Sequence, residues 1–217
     1  TIMFALFSNT AICYADLEDK EEIDLEEIQK EVVQASKTIT EEPKLNAKIG
    51  LVFDRASKTI LYEKNGLKQV PMASTTKIMT AIVVLENADL TDVVTIEKKA
   101  AGTGGSRLGL KVNDKITVHD LLYGLMLKSG NDTAVALAIH VGGSVEGFAE
   151  MMNKTAQEMG WVNSHFITPH GLDAQGHYTT AYELACMADY GLQNPKFKEI
   201  VSTKTYTVTL NGRPQVI

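Results

Sequence analysis

The period of the hydrophobic positions changes several times along this chain, and each change marks an element. Residues 49–53 and 59–62 are rich in Ile, Val, Phe, Leu and Tyr and flank a polar turn at 54–58, which predicts an antiparallel hairpin. From Ile78 to Leu85 the chain is apolar on nearly every side, so the spacing predicts a buried helix over 74–86. Residues 95–99 read as a further short strand. Thr117-Val-His-Asp120 has the form of a capping box and opens a predicted helix through about Met126. A break at 127–131 follows. Helices are then predicted over 132–141, ending at Gly142-Gly143, and over 145–159, ending at Gly160. Thr180 and Glu183 cap another to about Gly191, and Asn194-Pro195 opens a short one. Residues 203–210 alternate like a strand before Asn211-Gly212, a hairpin turn signal. Strand signals at both ends with helices between them predict an α+β fold, in which the terminal hairpins share one antiparallel sheet beside a helical lobe. The buried helix of Ser74 is expected between the two.

Composition changes this picture mainly at the front. The chain has 217 residues, 44% hydrophobic and 22% charged, which is ordinary for a globular protein. Its net charge of -6 is concentrated in residues 16–36, where nine acids face only Lys20 and Lys30. The remainder is close to neutral, with no basic stripe of the kind nucleic acid would need. Residues 1–15 carry no charge, are too short to span a bilayer and end in small residues at Cys13 and Ala15. They read as the apolar part of a secretory leader lacking its basic front end, with a buried helix as the rival reading. Residues 16–42 are expected to form an acidic helix or a loose spacer. Residues 43–217 are expected to form the working domain, outside the cytoplasm. With Cys13 in the leader, Cys186 is left alone and is expected to be a small buried hydrophobe. No His or Cys spacing suits a metal, and nothing calls for a cofactor.

Candidate chemistry centres on Pro71-Met-Ala-Ser-Thr-Thr-Lys77. Ser74 and Lys77 are spaced to lie one helical turn apart on one face, at the mouth of a buried element. That is how a serine nucleophile with a lysine base would be built. Ser74 as a plain helix cap is the competing reading. A lysine must fall from a pKa near 10.4 to near 7 to be half neutral at neutral pH, roughly 4–5 kcal/mol of environment. The second piece is Ser129-Gly130-Asn131, in the break between two helices. There Ser129 could pass a proton to a leaving nitrogen, and Asn131 could hold Lys77 or a substrate amide. A turn that caps the next helix is the alternative. The glycine-rich run 102–109 lacks the spacing of a phosphate loop and reads as an irregular loop that lets backbone lie close to the site.

Ser-x-x-Lys and Ser-x-Asn, in that order, resemble the active-site-serine penicillin-recognising enzymes. More narrowly, the chain is similar to the low-molecular-weight D-alanyl-D-alanine carboxypeptidases, the S11 serine peptidases, over about residues 45–217. The likeness rests on Pro71-Met-Ala-Ser-Thr-Thr-Lys-Ile-Met-Thr80, Gly105-Ser-Arg-Leu-Gly-Leu-Lys111, Leu127-Lys-Ser-Gly-Asn-Asp132 and Pro169-His-Gly-Leu-Asp173. It implies a β-lactamase/transpeptidase-like fold. It also implies that Ser74 forms an acyl-enzyme with a peptidoglycan stem peptide ending in D-Ala-D-Ala, with Lys77 as base, Ser129 as proton relay and Asn131 as substrate holder. β-Lactams are then covalent inhibitors. His170 and Asp173 either shape the cleft floor or brace the turn at Gly171. The third motif of the family, Lys-Thr-Gly, is absent: Lys58-Thr59 and Lys204-Thr205 run on into Ile60 and Tyr206. The chain therefore reads as a window on a longer protein, ending before the last sheet strands and before any segment for membrane association. A D,D-endopeptidase, a serine β-lactamase of the same fold and, for the 217 residues themselves, an inactive cell-wall binding fragment remain alternatives.

Overall fold

The computed structural model describes residues 6–7, 10–11 and 44–217. Leu6–Phe7 pairs antiparallel with Thr10–Ala11. The rest of the expected leader and the acidic stretch 16–42 lie outside the described residues. The chain divides into Thr1–Leu45 and Asn46–Ile217, and all the candidate residues belong to the second unit.

That unit begins with the hairpin β1 (Gly50–Asp54) and β2 (Thr59–Lys64), whose turn is held by Asp54 accepting from the N–H groups of Ala56 and Ser57. A 3-10 turn, Ala73–Thr76, leads directly into helix α1, Lys77–Asn87. Next come β3 (Val93–Thr95) and a short helix α2, Lys98–Ala101; of the strand expected over 95–99 only Thr95 is strand, and Lys98 and Lys99 are helical instead. Strand β4 (Lys115–Thr117) pairs with β3. The helical lobe follows as α3 (Val118–Leu127), α4 (Asn131–Gly142), α5 (Val145–Glu158), α6 (Ala181–Gly191) and α7 (Pro195–Ser202). The chain closes with β5 (Thr207–Leu210) and β6 (Arg213–Val216), joined by Asn211 and Gly212 at φ 51° and 73°, left-handed values that this residue pair adopts readily.

The helix limits follow from local chemistry. Thr117, Ser144 and Thr180 each accept the backbone N–H three residues on, and Asn194 accepts those of Lys196 and Phe197. These bonds occupy donors that a helix start leaves unpaired. Helix α1 is enclosed by α3, α4, α5, α6 and α7, and Met79, Ala81, Ile82, Val83 and Val84 are buried around its circumference. Its surroundings are helical on most sides, rather than a sheet on one face and a lobe on the other.

The expected single sheet is not formed. Among the described residues the strands make four separate two-stranded pairings. The terminal hairpins are tied to different helices. Asp189 of α6 pairs with Arg55 at 2.7 Å and Lys58 at 2.5 Å, and Tyr182 packs edge-on to Phe53. At the other end, Tyr206 stacks on Tyr123 of α3 at 3.6 Å, and the N–H of Thr209 donates to Asp120 at 2.7 Å. The Tyr206 hydroxyl also donates to Asp120, and burial, then that carboxylate, push its pKa up to about 12.

Candidate active site

The 3-10 turn brings Ser74 and Lys77 together more directly than an α-helix would, because residues three apart eclipse in this geometry. Ser74 is exposed and lies inside the 3-10 turn, whose N-cap is Met72, so it is not a helix cap. Lys77 is 2% exposed, with its ammonium beneath the serine. Lys77 Nζ stands 3.2 Å from Ser74 Oγ, 2.8 Å from Asn131 Oδ1 and 2.8 Å from the carbonyl oxygen of His170. Burial pushes its pKa down to about 8.

This arrangement determines where the lone pair of a neutral Lys77 points. Asn131 Oδ1 and the His170 carbonyl have no proton to give, so they keep two N–H bonds. The third direction, toward Ser74 Oγ, is left for the lone pair, and the Ser74 hydroxyl can then donate to it. The amide of Asn131 is oriented from its far side, because Nδ2 donates to the carbonyl of Gly104 at 2.8 Å. Its backbone N–H donates to Ser106 at 2.7 Å. The loop 104–110 is fixed in turn by Asp132, fully buried, whose carboxylate accepts the N–H groups of Leu108, Gly109 and Leu110 at 2.8–3.0 Å.

Backbone strain sits on both sides of the site. Ala73 has φ 46° and Ser129 φ 52°, left-handed values that cost a residue with a Cβ about 1–2 kcal/mol each. The segment 168–172 packs directly on the first of these. Thr80 Oγ1 donates to Pro169 O at 2.6 Å, and a Cβ on Gly171 would lie 1.8 Å from Ala73 O, so only glycine fits there. The His170 ring is held neutral, its pKa pushed down to about 4 by burial, then by Lys77 and His177.

The structure thus brings together Ser74, Lys77 and Asn131. Ser129 lies at the end of α3, half-buried, and its side chain makes no hydrogen bond with Ser74 or Lys77 among the described residues. No group of His, Cys, Asp and Glu arranged for a metal occurs among the described residues. Sequence reasoning missed the carbonyls of His170 and Gly104 and the carboxylate of Asp132. Backbone carbonyls leave no mark in side-chain identity, and Asp132 was visible only as part of Ser-Gly-Asn-Asp. The half-buried thiol of Cys186 is raised in pKa by burial and has no place in this site.

The family model described as D-alanyl-D-alanine carboxypeptidase, peptidase S11, matches residues 36–216. The chain is 40% identical over 147 residues to D-alanyl-D-alanine carboxypeptidase DacF of Bacillus subtilis, covering 65% of this chain and 38% of that protein. It is 39% identical over 164 residues to DacC of Escherichia coli, covering 70% and 41%. The crystal structure of the Streptomyces K15 DD-transpeptidase superposes with a TM-score of 0.76 at 35% identity, over 82% of this chain and 74% of that one. The chain therefore spans about two fifths of the length of the first two relatives and has the α+β fold of the penicillin-recognising D,D-peptidases. With the family model matched over most of its length, this chain belongs to the S11 D-alanyl-D-alanine carboxypeptidase family.

Proposed function

We propose that the protein is a serine-type D,D-peptidase that removes the terminal D-alanine from peptidoglycan stem peptides ending in D-Ala-D-Ala. The observation that carries this reading is the buried Lys77, with its pKa near 8 and two of its three directions occupied by proton-free acceptors. At pH 7 about one molecule in ten then holds a neutral amine, against fewer than one in a thousand for an ordinary lysine.

In this reading Lys77 takes the Ser74 proton as Oγ attacks the carbonyl carbon of the scissile D-Ala-D-Ala bond. The Ser74 N–H supplies one donor to the oxyanion. The C–N bond breaks as a proton reaches the leaving amine through Ser129, D-alanine departs, and the acyl ester on Ser74 remains. Water, deprotonated at Lys77, cleaves that ester and restores the hydroxyl. Asn131 has two tasks, holding Lys77 through Oδ1 and lining the cleft where the peptide lies. A strained β-lactam amide is attacked in the same way.

The substrate lies outside the cytoplasmic membrane, which suits residues 1–15 as leader sequence, 16–42 as a spacer and 43–217 as the peptidase part. No helix among the described residues is long and apolar enough to cross a membrane.

Acylation by a labelled penicillin tests the proposal. Label is expected on the wild-type chain and not on Ser74→Ala. Absence of label on the wild type, or equal label on Ser74→Ala, would overturn the assignment of Ser74. Release of D-alanine from a D-Ala-D-Ala pentapeptide, compared with cleavage of a crosslinked dimer, separates carboxypeptidase from endopeptidase action.

A further inference from the structure

Beneath the strained turn lies a side chain that the proposed reaction does not use. His177 is buried at 5% exposure and packs edge-on to Phe166. Its Nδ1 accepts the backbone N–H of Ile167 at 3.0 Å. A backbone N–H can only donate, so in the neutral ring the proton resides on Nε2. Nε2 stands 2.9 Å from Thr76 Oγ1 and therefore donates to it. The Thr76 hydroxyl spends its own proton on the carbonyl oxygen of Ala73, at 2.7 Å. A directional chain thus runs from Ile167 through His177 and Thr76 to Ala73. It ends on the residue that is held at positive φ immediately before Ser74.

Strained conformations persist only where the surroundings over-determine them, and they concentrate where their direction matters. The Ala73 carbonyl is fixed twice, by the Thr76 hydroxyl and by the close approach of Gly171. Both ring nitrogens of His177 are committed, so the ring has no free position from which to exchange a proton with a substrate. Burial, then the neighbouring His165, hold its pKa down, which keeps the acceptor at Nδ1 in place.

We propose that His177 is a positioning residue for Ser74: acting through Thr76, it locks the Ala73 carbonyl and with it the left-handed turn that aims Ser74 Oγ away from the core and over Lys77. The proposal rests on the reading of Ser74 as nucleophile.

The test resolves penicillin acylation into its noncovalent binding constant and its first-order acylation rate, with the thermal midpoint measured alongside. His177→Leu and Thr76→Val are each expected to lower the first-order rate about ten- to a hundredfold, as misplaced reacting groups do, with the binding constant nearly unchanged. Because both act in one chain, the double variant is expected to be no slower than the slower single variant. His177→Gln carries an acceptor and a donor on one planar group, and Thr76→Ser keeps the hydroxyl, so both are expected to retain most of the rate.

Wild-type acylation by folded His177→Leu, additive losses in the double variant, or a folded His177→Gln as slow as His177→Leu would each overturn the proposal. Should His177→Leu fail to fold, the ring's tautomer in the wild-type protein decides. Long-range proton–nitrogen NMR is expected to show the proton on Nε2, and a proton on Nδ1 overturns the chain. A wild-type protein that takes no label marks a different failure, that of the nucleophile assignment, and the positioning role falls with it.

Discussion

Replacing Lys77 by Met removes the titrating group at the centre of the site and leaves a side chain of similar length. The folded protein holds this lysine at a pKa of about 8, whereas the unfolded chain returns it to its ordinary 10.5. A lysine with a lowered folded pKa binds fewer protons folded than unfolded between those two values. Stability therefore rises with pH across that window, by up to about 1.4 kcal/mol per pH unit. Below pH 8 both states are protonated, and the cost of the buried charge, on the order of 3 kcal/mol, is carried in full. Between pH 7.5 and 10 the wild-type protein should gain about 2–2.5 kcal/mol relative to Lys77→Met. Urea unfolding followed by circular dichroism at four or five pH values measures this directly. The difference between the two proteins cancels the shared titration of tyrosines and surface lysines. Parallel stability curves would refute the reasoning, since a lysine with the same pKa in both states has no depressed base form to offer Ser74.

The same pKa sets the acylation profile. Penicillin labelling should rise about tenfold per pH unit below pH 8 and level off by about pH 9, whereas a rate still climbing at pH 10 would assign Lys77 an ordinary basicity. Asp132→Asn turns an amide toward four backbone N–H groups, those of Leu108, Gly109, Leu110 and Thr133, that a carboxylate now accepts. The expected loss is about 2–4 kcal/mol in urea unfolding, with slower acylation because loop 104–110 also fixes Asn131. Tyr206→Phe keeps the ring stack on Tyr123 but removes the hydroxyl bond to Asp120. About 1–2 kcal/mol should be lost, a fall of roughly 2–8 °C in the thermal midpoint, with little change in labelling.

What the sequence disclosed was what is local. Thr117 and Thr180 cap their helices through bonds three residues long, so the pattern and the cause lie in one window. Ser74 and Lys77 were legible as a pair for the same reason, although the turn that joins them is 3-10 rather than α. The carbonyl of His170 reaches Lys77 across 93 positions, and His177 reaches Thr76 across 101, with no periodicity to announce either contact. The shared sheet failed for a related reason. The sequence marks residues 49–53, 59–62 and 203–210 as strands, but their neighbours are chosen by Asp189 on one helix and Asp120 on another. Those are tertiary choices.

Ser129 separates structural from chemical demand most sharply. Ser129 follows Lys128, the C-cap of helix α3, and lies in the left-handed region at φ 52°, with the N–H of Gly130 returning to Gly124 O at 3.2 Å. Glycine is the usual occupant of such a position. A serine there costs about 1–2 kcal/mol in backbone strain, partly offset because glycine loses roughly 0.5–1 kcal/mol more chain entropy on folding. Ser129→Gly should therefore leave stability unchanged or raise it by up to about 1.5 kcal/mol. If the hydroxyl carries the proton to the leaving amine, D-alanine release should fall by about 10²–10⁴ in the same variant, the usual range for a lost general acid. Peptide turnover and urea unfolding, measured on one preparation, give both numbers. Turnover that survives Ser129→Gly would reduce this serine to the end of a helix, and the strain at φ 52° would then have no chemical reason.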